Sequence, residues 1–277
     1  MKTIEIDPAS KPAAPPRASL SFGALSAAGR DRLLGILSPV LLLALWEIAA
    51  RTGFIDVRYF PAPSTIFDTL VKLAKSGELW TNTWASLQRL FWGFVVGGIP
   101  ALVLGILMGL YRPLRAIFDP LIAATYPIPK SALLPLILLI FGLGEGSKVA
   151  MVAIGVFFPI VINAVTGVRE INKIYLDVGR NFQASRWQVF YTIALPGALP
   201  FIMTGVKLGV GMGLILIALA EMVGAKSGLG FMIWNAWEIL SVEAMYVGLL
   251  MIALIGFVFS LLLNEVERWV VPWRTER

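Results

Sequence analysis

The chain has 277 residues, of which 58% are hydrophobic and only 14% are charged, with a formal net charge of +6. A soluble domain carries about 25% charged residues, so this composition argues against a soluble enzyme and predicts an integral membrane protein. The chain has no Cys and no His, which excludes disulfides, thiolate chemistry and the commonest metal ligand.

Residues 1–30 contain four prolines among Ala, Ser and Lys, a composition typical of a flexible tail. Residues 31–277 are predicted to form one membrane domain with six apolar stretches, each near the twenty or so residues that cross a bilayer. The predicted spans are 33–50, 87–111, 116–141, 149–168, 201–223 and 244–266. The predicted fold is therefore all-α and polytopic, with six transmembrane helices.

Two local features qualify this pattern. Three prolines interrupt the third span, at Pro127, Pro129 and Pro135, and lipid-embedded helices tolerate such breaks. In the polar connection after the first span, Pro63-Ser64 followed by residues 65–74 predicts a short capped helix.

Lys and Arg are more frequent in the tail, at 112–115, at 169–186 and after residue 267 than in the segments on the opposite side. The positive-inside rule therefore predicts that both termini are cytoplasmic. Because the basic residues are scattered among apolar spans and form no patch, we expect membrane lipid around the chain and no nucleic acid.

The stretch 170–200 is polar and amphipathic although it lies between two apolar spans. Five apolar residues recur there at helical spacing and form one stripe: Ile171, Ile174, Tyr175, Val178 and Phe182. Farther on, Ser185 followed by Gln188 fits a capping box, and Leu195-Pro196-Gly197 predicts the end of that second helix. We expect two short helices beside the membrane, joined by a turn at 183–185.

Seven residues of this loop have a distinctive spacing: Asp177, Val178, Gly179, Gln183, Ile193, Leu195 and Pro196. The loop thereby resembles that of the inner-membrane permease subunits of ABC importers, which reads E-A-A, three residues, G, nine residues, I-x-L-P. Gln183 replaces the usual Gly of the turn, where αL geometry is easy only for Gly, so either Gln183 adopts it at some cost or the turn shifts by one residue. The resemblance implies that the ATPase is coupled through Asp177, Val178, Gly179, Gln183, Ala184 and Ser185.

Five more segments resemble the nitrate/sulfonate/taurine branch of that family: 60–64, 127–130, 141–145, 184–188 and 227–230. The resemblance covers roughly residues 33–270. It implies a type I (MetI-like) transmembrane domain in the cell inner membrane, which is not an enzyme. Its function would be to form the pore for a small anion or sulfonate-type solute, with a different solute, such as a heteroaromatic ring compound, as the alternative.

The same resemblance implies the partners. Two permease copies, as a homodimer or with a similar subunit, would form the pore, two ATPase subunits would bind in the cytoplasm, and a periplasmic or lipid-anchored binding protein would deliver the solute. Residues 142–148 fail the G-x-x-x-x-G-K-[ST] spacing of a phosphate-binding loop. ATP is thus expected on the partner subunit, with no cofactor or metal in this chain.

Three polar residues in or near the spans are candidates for the substrate path: Lys130, Asn163 and Glu221. A charge inside the membrane is a candidate for function, and Lys130 would attract an anion unless it snorkels or pairs with Asp119. Asn163 fits either a solute contact or a helix–helix hydrogen bond. Glu221 would help dock the binding protein or close the outer gate, unless it caps a helix or pairs with Lys226.

Two other classes of protein remain open. A secondary transporter would favour a carboxylate in mid-span and repeated halves, but the acidic residues lie toward span ends and no repeat is seen. A membrane-embedded enzyme would need a polar constellation at one depth, for which a chain without His or Cys offers few groups.

Overall fold

The computed structural model describes residues 27–273, so the tail predicted for residues 1–30 lies outside the described part except at its end. Eleven α-helices occupy the described residues: α1 Ala27–Arg51, α2 Pro63–Ser76, α3 Glu78–Leu110, α4 Arg112–Thr125, α5 Leu134–Phe141, α6 Glu145–Arg169, α7 Lys173–Asn181, α8 Arg186–Val189, α9 Leu195–Met222, α10 Leu229–Glu238 and α11 Val242–Val270. A 3₁₀ turn, Lys130–Leu133, precedes α5, and a π-helix, Phe190–Ala194, joins α8 to α9. With no strand in this part of the chain, the all-α class is confirmed.

The apolar helices match the predicted spans in part. Within the described residues, four segments are long and apolar enough to cross a membrane: Glu78–Leu110, Glu145–Arg169, Trp187–Met222 and Val242–Val270. A bent pair would add a fifth, and the predicted span 33–50 is helical within α1. The chain is thus polytopic, but this set is smaller than the six predicted.

The third predicted span, 116–141, is not one straight helix. The segments Arg112–Thr125 and Lys130–Phe141 meet at an angle of 89°. Pro127 and Pro129 lie in the break, where a residue before proline disfavours the α region, while Pro135 is tolerated in the first turn of α5. We call α4 and the segment Lys130–Phe141 the broken pair.

The second span begins nine residues earlier than predicted, at Glu78 instead of residue 87. The polar residues of this first part indicated an exposed connection. In the structure Asn82 and Ser86 of this part are instead buried and hydrogen-bonded to distant segments. Polar residues can be buried when their polar groups are hydrogen-bonded. Hydropathy alone therefore did not predict that this part of α3 is buried.

The core lies where α3, α6 and α9 pack together, and glycines bring the helices close. A Cβ on Gly97 would meet the Ala153 backbone of α6, with its Cα at 2.6 Å. A Cβ on Gly205 of α9 would lie 2.8 Å from the Asn163 Cβ. Three glycines at four-residue spacing on α9, Gly205, Gly209 and Gly213, thus pack against residues of α3 and α6, as small residues do in membrane helices.

The predicted helix end at Leu195-Pro196-Gly197 is wrong. From Trp187 to Met222 the chain forms one helical run of 36 residues. Leu195 donates its N–H to the Phe190 carbonyl, one residue beyond the α-helical partner. This wide π turn falls directly before Pro196, and π turns occur as single-turn bulges inside helices. Pro196 then stands in the first turn of α9, where no N–H is needed.

Candidate functional site

The first helix of the 170–200 loop, α7, ends in an αL residue. Gln183 has φ 53°, and the Ala184 N–H donates to the Gly179 carbonyl at 2.9 Å. This is the six-to-one hydrogen bond of a Schellman motif, in which the αL position is usually Gly. Gln183 therefore adopts the conformation expected at that position, and the turn does not shift.

The second helix of the loop starts with the predicted capping box. The Ser185 N–H donates to Gln188 Oε1 at 2.7 Å, and the Gln188 N–H donates to Ser185 Oγ at 3.3 Å. Two backbone donors at the start of α8 are thus satisfied reciprocally. With the Schellman motif on one side and the capping box on the other, the turn is held from both ends.

The five residues of the predicted apolar stripe, 171–182, lie in two different environments. Ile171 packs beside Gly197 at the base of α9, and Gly179 faces Val189 and Ile193. The other four residues of the stripe are exposed: Ile174, Tyr175, Val178 and Phe182. Phe182, beside the turn, is 83% exposed. We call these four residues the α7 stripe. Leaving such side chains in water costs about 1.5–3 kcal/mol each relative to burial.

Lys130 lies at the break of the broken pair and is buried. Its ammonium group donates to the carbonyls of Thr125, Tyr126 and Ile128 at 2.9–3.0 Å. Its Nζ also lies 3.9 Å from the centre of the Phe158 ring on α6. A cation at the C-terminal end of α4 complements the helix dipole. The three N–H donors of Lys130 are thus used by its own chain, and they do not reach Asp119.

The structure predicts a stability cost for any change that removes these donors. Lys130→Met leaves three carbonyls without their donor, so we expect a loss of about 1–3 kcal/mol in unfolding free energy. Lys130→Arg, which keeps the charge, is the matched control and should lose less. Thermal unfolding and uptake, measured on Lys130→Gln, separate a structural role of Lys130 from a role in attracting the anion. A structural role predicts a lower melting temperature. A role in attracting the anion predicts slower uptake at an unchanged melting temperature.

Asn163 and Glu221 both lie inside the packed chain. The Asn163 amide donates to the Pro159 carbonyl at 2.8 Å, and its Cβ side meets Gly205. Glu221 is 0% exposed and forms an ion pair with Arg89 at 2.9 Å, and not with Lys226. Lys130, Asn163 and Glu221 thus each bind partners within this chain, and their place on a substrate path stays a prediction.

Arg89 was missed by the sequence reasoning, although its position carried a signal. It lies inside the predicted span 87–111, and a charged residue in a membrane segment calls for a partner. In the structure it is 5% exposed and donates to Glu145, to Glu221 and to Ser227 in the turn before α10, while the Ser86 hydroxyl donates to Glu221. We call the set Ser86, Arg89, Glu145, Glu221 and Ser227 the Arg89 network. Within the described residues no group of acidic side chains has the arrangement of a metal site.

Comparison with known proteins gives a consistent result. The family described as "Binding-protein-dependent transport system inner membrane component" matches residues 101–275. The taurine transport system permease protein TauC of Escherichia coli K12 is 33% identical over 252 residues, covering 89% of this chain and 92% of that protein. The putative aliphatic sulfonates transport permease protein SsuC of the same organism is 34% identical over 235 residues, covering 85% and 89%.

A solved structure supports the fold. The MetNI methionine ABC transporter in inward-facing conformations contains a chain that superposes with a TM-score of 0.51. The match covers 68% of this chain and 93% of that chain, at 22% identity. At that identity the likeness establishes the arrangement of helices alone, and it agrees with the MetI-like fold predicted from the sequence.

Proposed function

Because the chain belongs to the family of binding-protein-dependent transport system inner membrane components, as the sequence resemblance predicted, we propose that it carries a small sulfonate-type anion across the inner membrane. It is a multi-pass permease subunit of an ABC importer and not an enzyme. Relatives for taurine and for aliphatic sulfonates, each about one third identical, support this class of solute. A different small solute remains the alternative.

The observation that carries the coupling to an ATPase is the exposed α7 stripe beside a turn held from both ends. A subunit of this family works with an ATPase and a binding protein. In this proposal two ATPase subunits bind ATP in the cytoplasm, and the α7 stripe and residues 183–185 dock on them. Both termini of the permease are then cytoplasmic.

The helical run Trp187–Met222 supports a mechanical role for this loop. Because α8 continues through the π turn into α9, a push on the turn at 183–185 is passed directly to a membrane-spanning helix. Gly179 packs against Val189 and Ile193, so α7 moves with α8. Closure of the ATPase dimer would thereby shift the population between two arrangements of the pore.

A second copy of the permease would complete the pore. On α9 the row Leu208, Gly211 and Ile215 is exposed in the single chain, and a Cβ on Gly211 would meet nothing within 4 Å. This row lies on a different face of α9 from Gly205 and Gly209, which contact α6. It is our candidate for the face toward the pore or toward the second copy.

The decisive experiment is biochemical. Purified alone, the permease is expected to hydrolyse no ATP, because nucleotide binding belongs to its partner. Expressed with its ATPase, it should co-purify as a complex and, in vesicles with the binding protein, should take up a sulfonate such as taurine. ATP hydrolysis by the isolated chain would contradict the proposal, whereas uptake of another solute class would correct the substrate alone.

A further inference from the structure

In the Arg89 network, one guanidinium group pairs with two carboxylates, of which one is exposed and the other is buried. Glu221, near the end of α9, is 0% exposed, whereas the Glu145 side chain at the start of α6 is 70% exposed. Arg89 itself lies on α3 and is buried. One ion pair is therefore part of the core, and the other reaches the surface.

All five N–H groups of Arg89 are used. Nε and Nη2 donate to the two oxygens of Glu145, both at 2.6 Å. Nη1 donates to Glu221 Oε1 at 2.9 Å and to the Ser227 carbonyl at 2.6 Å, and Nη2 also donates to Ser227 Oγ at 3.2 Å. Such a bidentate Arg–carboxylate pair is strong and directional.

The buried carboxylate of the network keeps all its hydrogen-bond donors without Glu145. Glu221 accepts hydrogen bonds from the Ser86 hydroxyl at 2.8 Å and from the Gly230 N–H at 2.9 Å, besides Arg89. If Glu145 left, Arg89 would keep Glu221 and the Ser227 carbonyl, and the buried Lys148 ammonium would keep the Leu143 carbonyl. Departure of Glu221, by contrast, would take away the only fully buried carboxylate of the Arg89 network.

Glu145 begins α6 directly after a turn that has open space beside its glycines. It follows a turn in which Gly142 has φ 70°, and an added Cβ on Gly142 or Gly144 would meet nothing within 4 Å. Between them, the Leu143 side chain lies on Gly224, 2.6 Å from where a Cβ would be. The α5–α6 turn thus touches the α9–α10 turn through one apolar contact, next to the ion pair.

We propose that the Glu145–Arg89 ion pair, together with Leu143 on Gly224, is a releasable latch. It holds the end of the broken pair on the rigid α3–α9 core in the arrangement described here. When the pathway opens at this end of the bundle, Glu145 separates from Arg89, and the α5–α6 turn moves with the broken pair. Discontinuous helices are the elements on which transporters build such gates. This inference rests on the proposed transport function.

The first test removes the charge of Glu145. In the reconstituted complex, Glu145→Gln can accept from Arg89 through one oxygen only, so the open arrangement becomes more populated. We expect ATP hydrolysis without binding protein to rise about fivefold and uptake per ATP to fall. The melting temperature should stay near that of the wild type, because the amide still accepts one hydrogen bond from Arg89 and Arg89 keeps its ion pair with Glu221.

The matched control is Asp68→Asn, which removes an exposed carboxylate on α2 outside the Arg89 network. It should leave basal hydrolysis unchanged. If Glu145→Gln hydrolyses ATP at the wild-type basal rate, or loses activity together with thermal stability, the latch is excluded and Glu145 has only a structural role.

The second test uses the absence of native cysteines. In the double variant Leu143→Cys/Gly224→Cys, a disulfide would fasten the two turns. We expect oxidation to stop uptake and a reductant to restore it, while each single variant is insensitive to both. If the fully cross-linked double variant transports at the rate of its reduced form, the turns do not separate and the latch is wrong. Wild-type uptake in the same vesicles tests the proposed function independently.

Discussion

Replacing Arg89 by methionine is expected to destabilise the permease by about 3–5 kcal/mol, the usual cost of leaving a buried charge without its partner. The change leaves Glu221 fully buried, with the Ser86 hydroxyl and the Gly230 N–H as its remaining partners. It also removes the donors to the Ser227 carbonyl, so the turn before α10 loses one of its attachments to α3 and keeps those to Asn82 and Ser86. For a protein of this size, the melting temperature should fall by roughly 10 °C.

A double variant shows whether charge is the cause. In Arg89→Met/Glu221→Gln no uncompensated charge remains, because the buried carboxylate is replaced by a neutral amide. At least half of the lost stability should therefore return, as it does when buried ion pairs are replaced as a unit. The melting temperature of the purified permease is measured by heating samples and quantifying the remaining folded protein by size-exclusion chromatography. If the double variant is no more stable than Arg89→Met, the cost arises from packing and not from the unpaired carboxylate.

The parts of the molecule that were predictable from sequence depend on residues close together in the chain. The capping box joins Ser185 to Gln188, three residues apart, and the αL turn at Gln183 follows the end of a nine-residue helix. Helix N-caps and αL turns follow from local hydrogen bonding, so the sequence contains all the information they need. The apolar stripe was likewise readable from its helical period.

The parts that escaped prediction depend on distant residues. Arg89 and Glu221 are 132 positions apart, and Ser86 and Glu221 are 135 apart. No periodicity connects such pairs, so the polar start of α3 was taken for a connection. The continuous run through Pro196 also escaped, because a π turn before the proline has no sequence signature that distinguishes it from a helix end. The prolines indicated a break in the third span, but they did not predict its angle of 89°.

Replacing Ala184 by arginine is expected to uncouple transport from ATP hydrolysis or to release the ATPase. Ala184 lies at the turn between α7 and α8, next to the exposed Phe182, and its N–H closes the Schellman motif. Its side chain is the smallest in the turn, ahead of Ser185, so the turn can enter a groove that an arginine would not fit. We expect co-purified ATPase and uptake to fall at least tenfold, the factor given by about 1.4 kcal/mol of lost binding.

The design of this test separates docking from folding. Ala184→Ser keeps the small volume and the backbone hydrogen bond, so it should transport normally. Asp177→Lys, one turn before the end of α7, should act in the same direction as Ala184→Arg but more weakly, because it reverses a charge at the edge of the α7 stripe without adding bulk at the turn. The abundance of the permease in the membrane should be unchanged in all three variants, since none alters a spanning segment. If Ala184→Arg transports at the wild-type rate with its ATPase bound, the 170–200 loop is not the coupling element, and the exposed α7 stripe needs another partner.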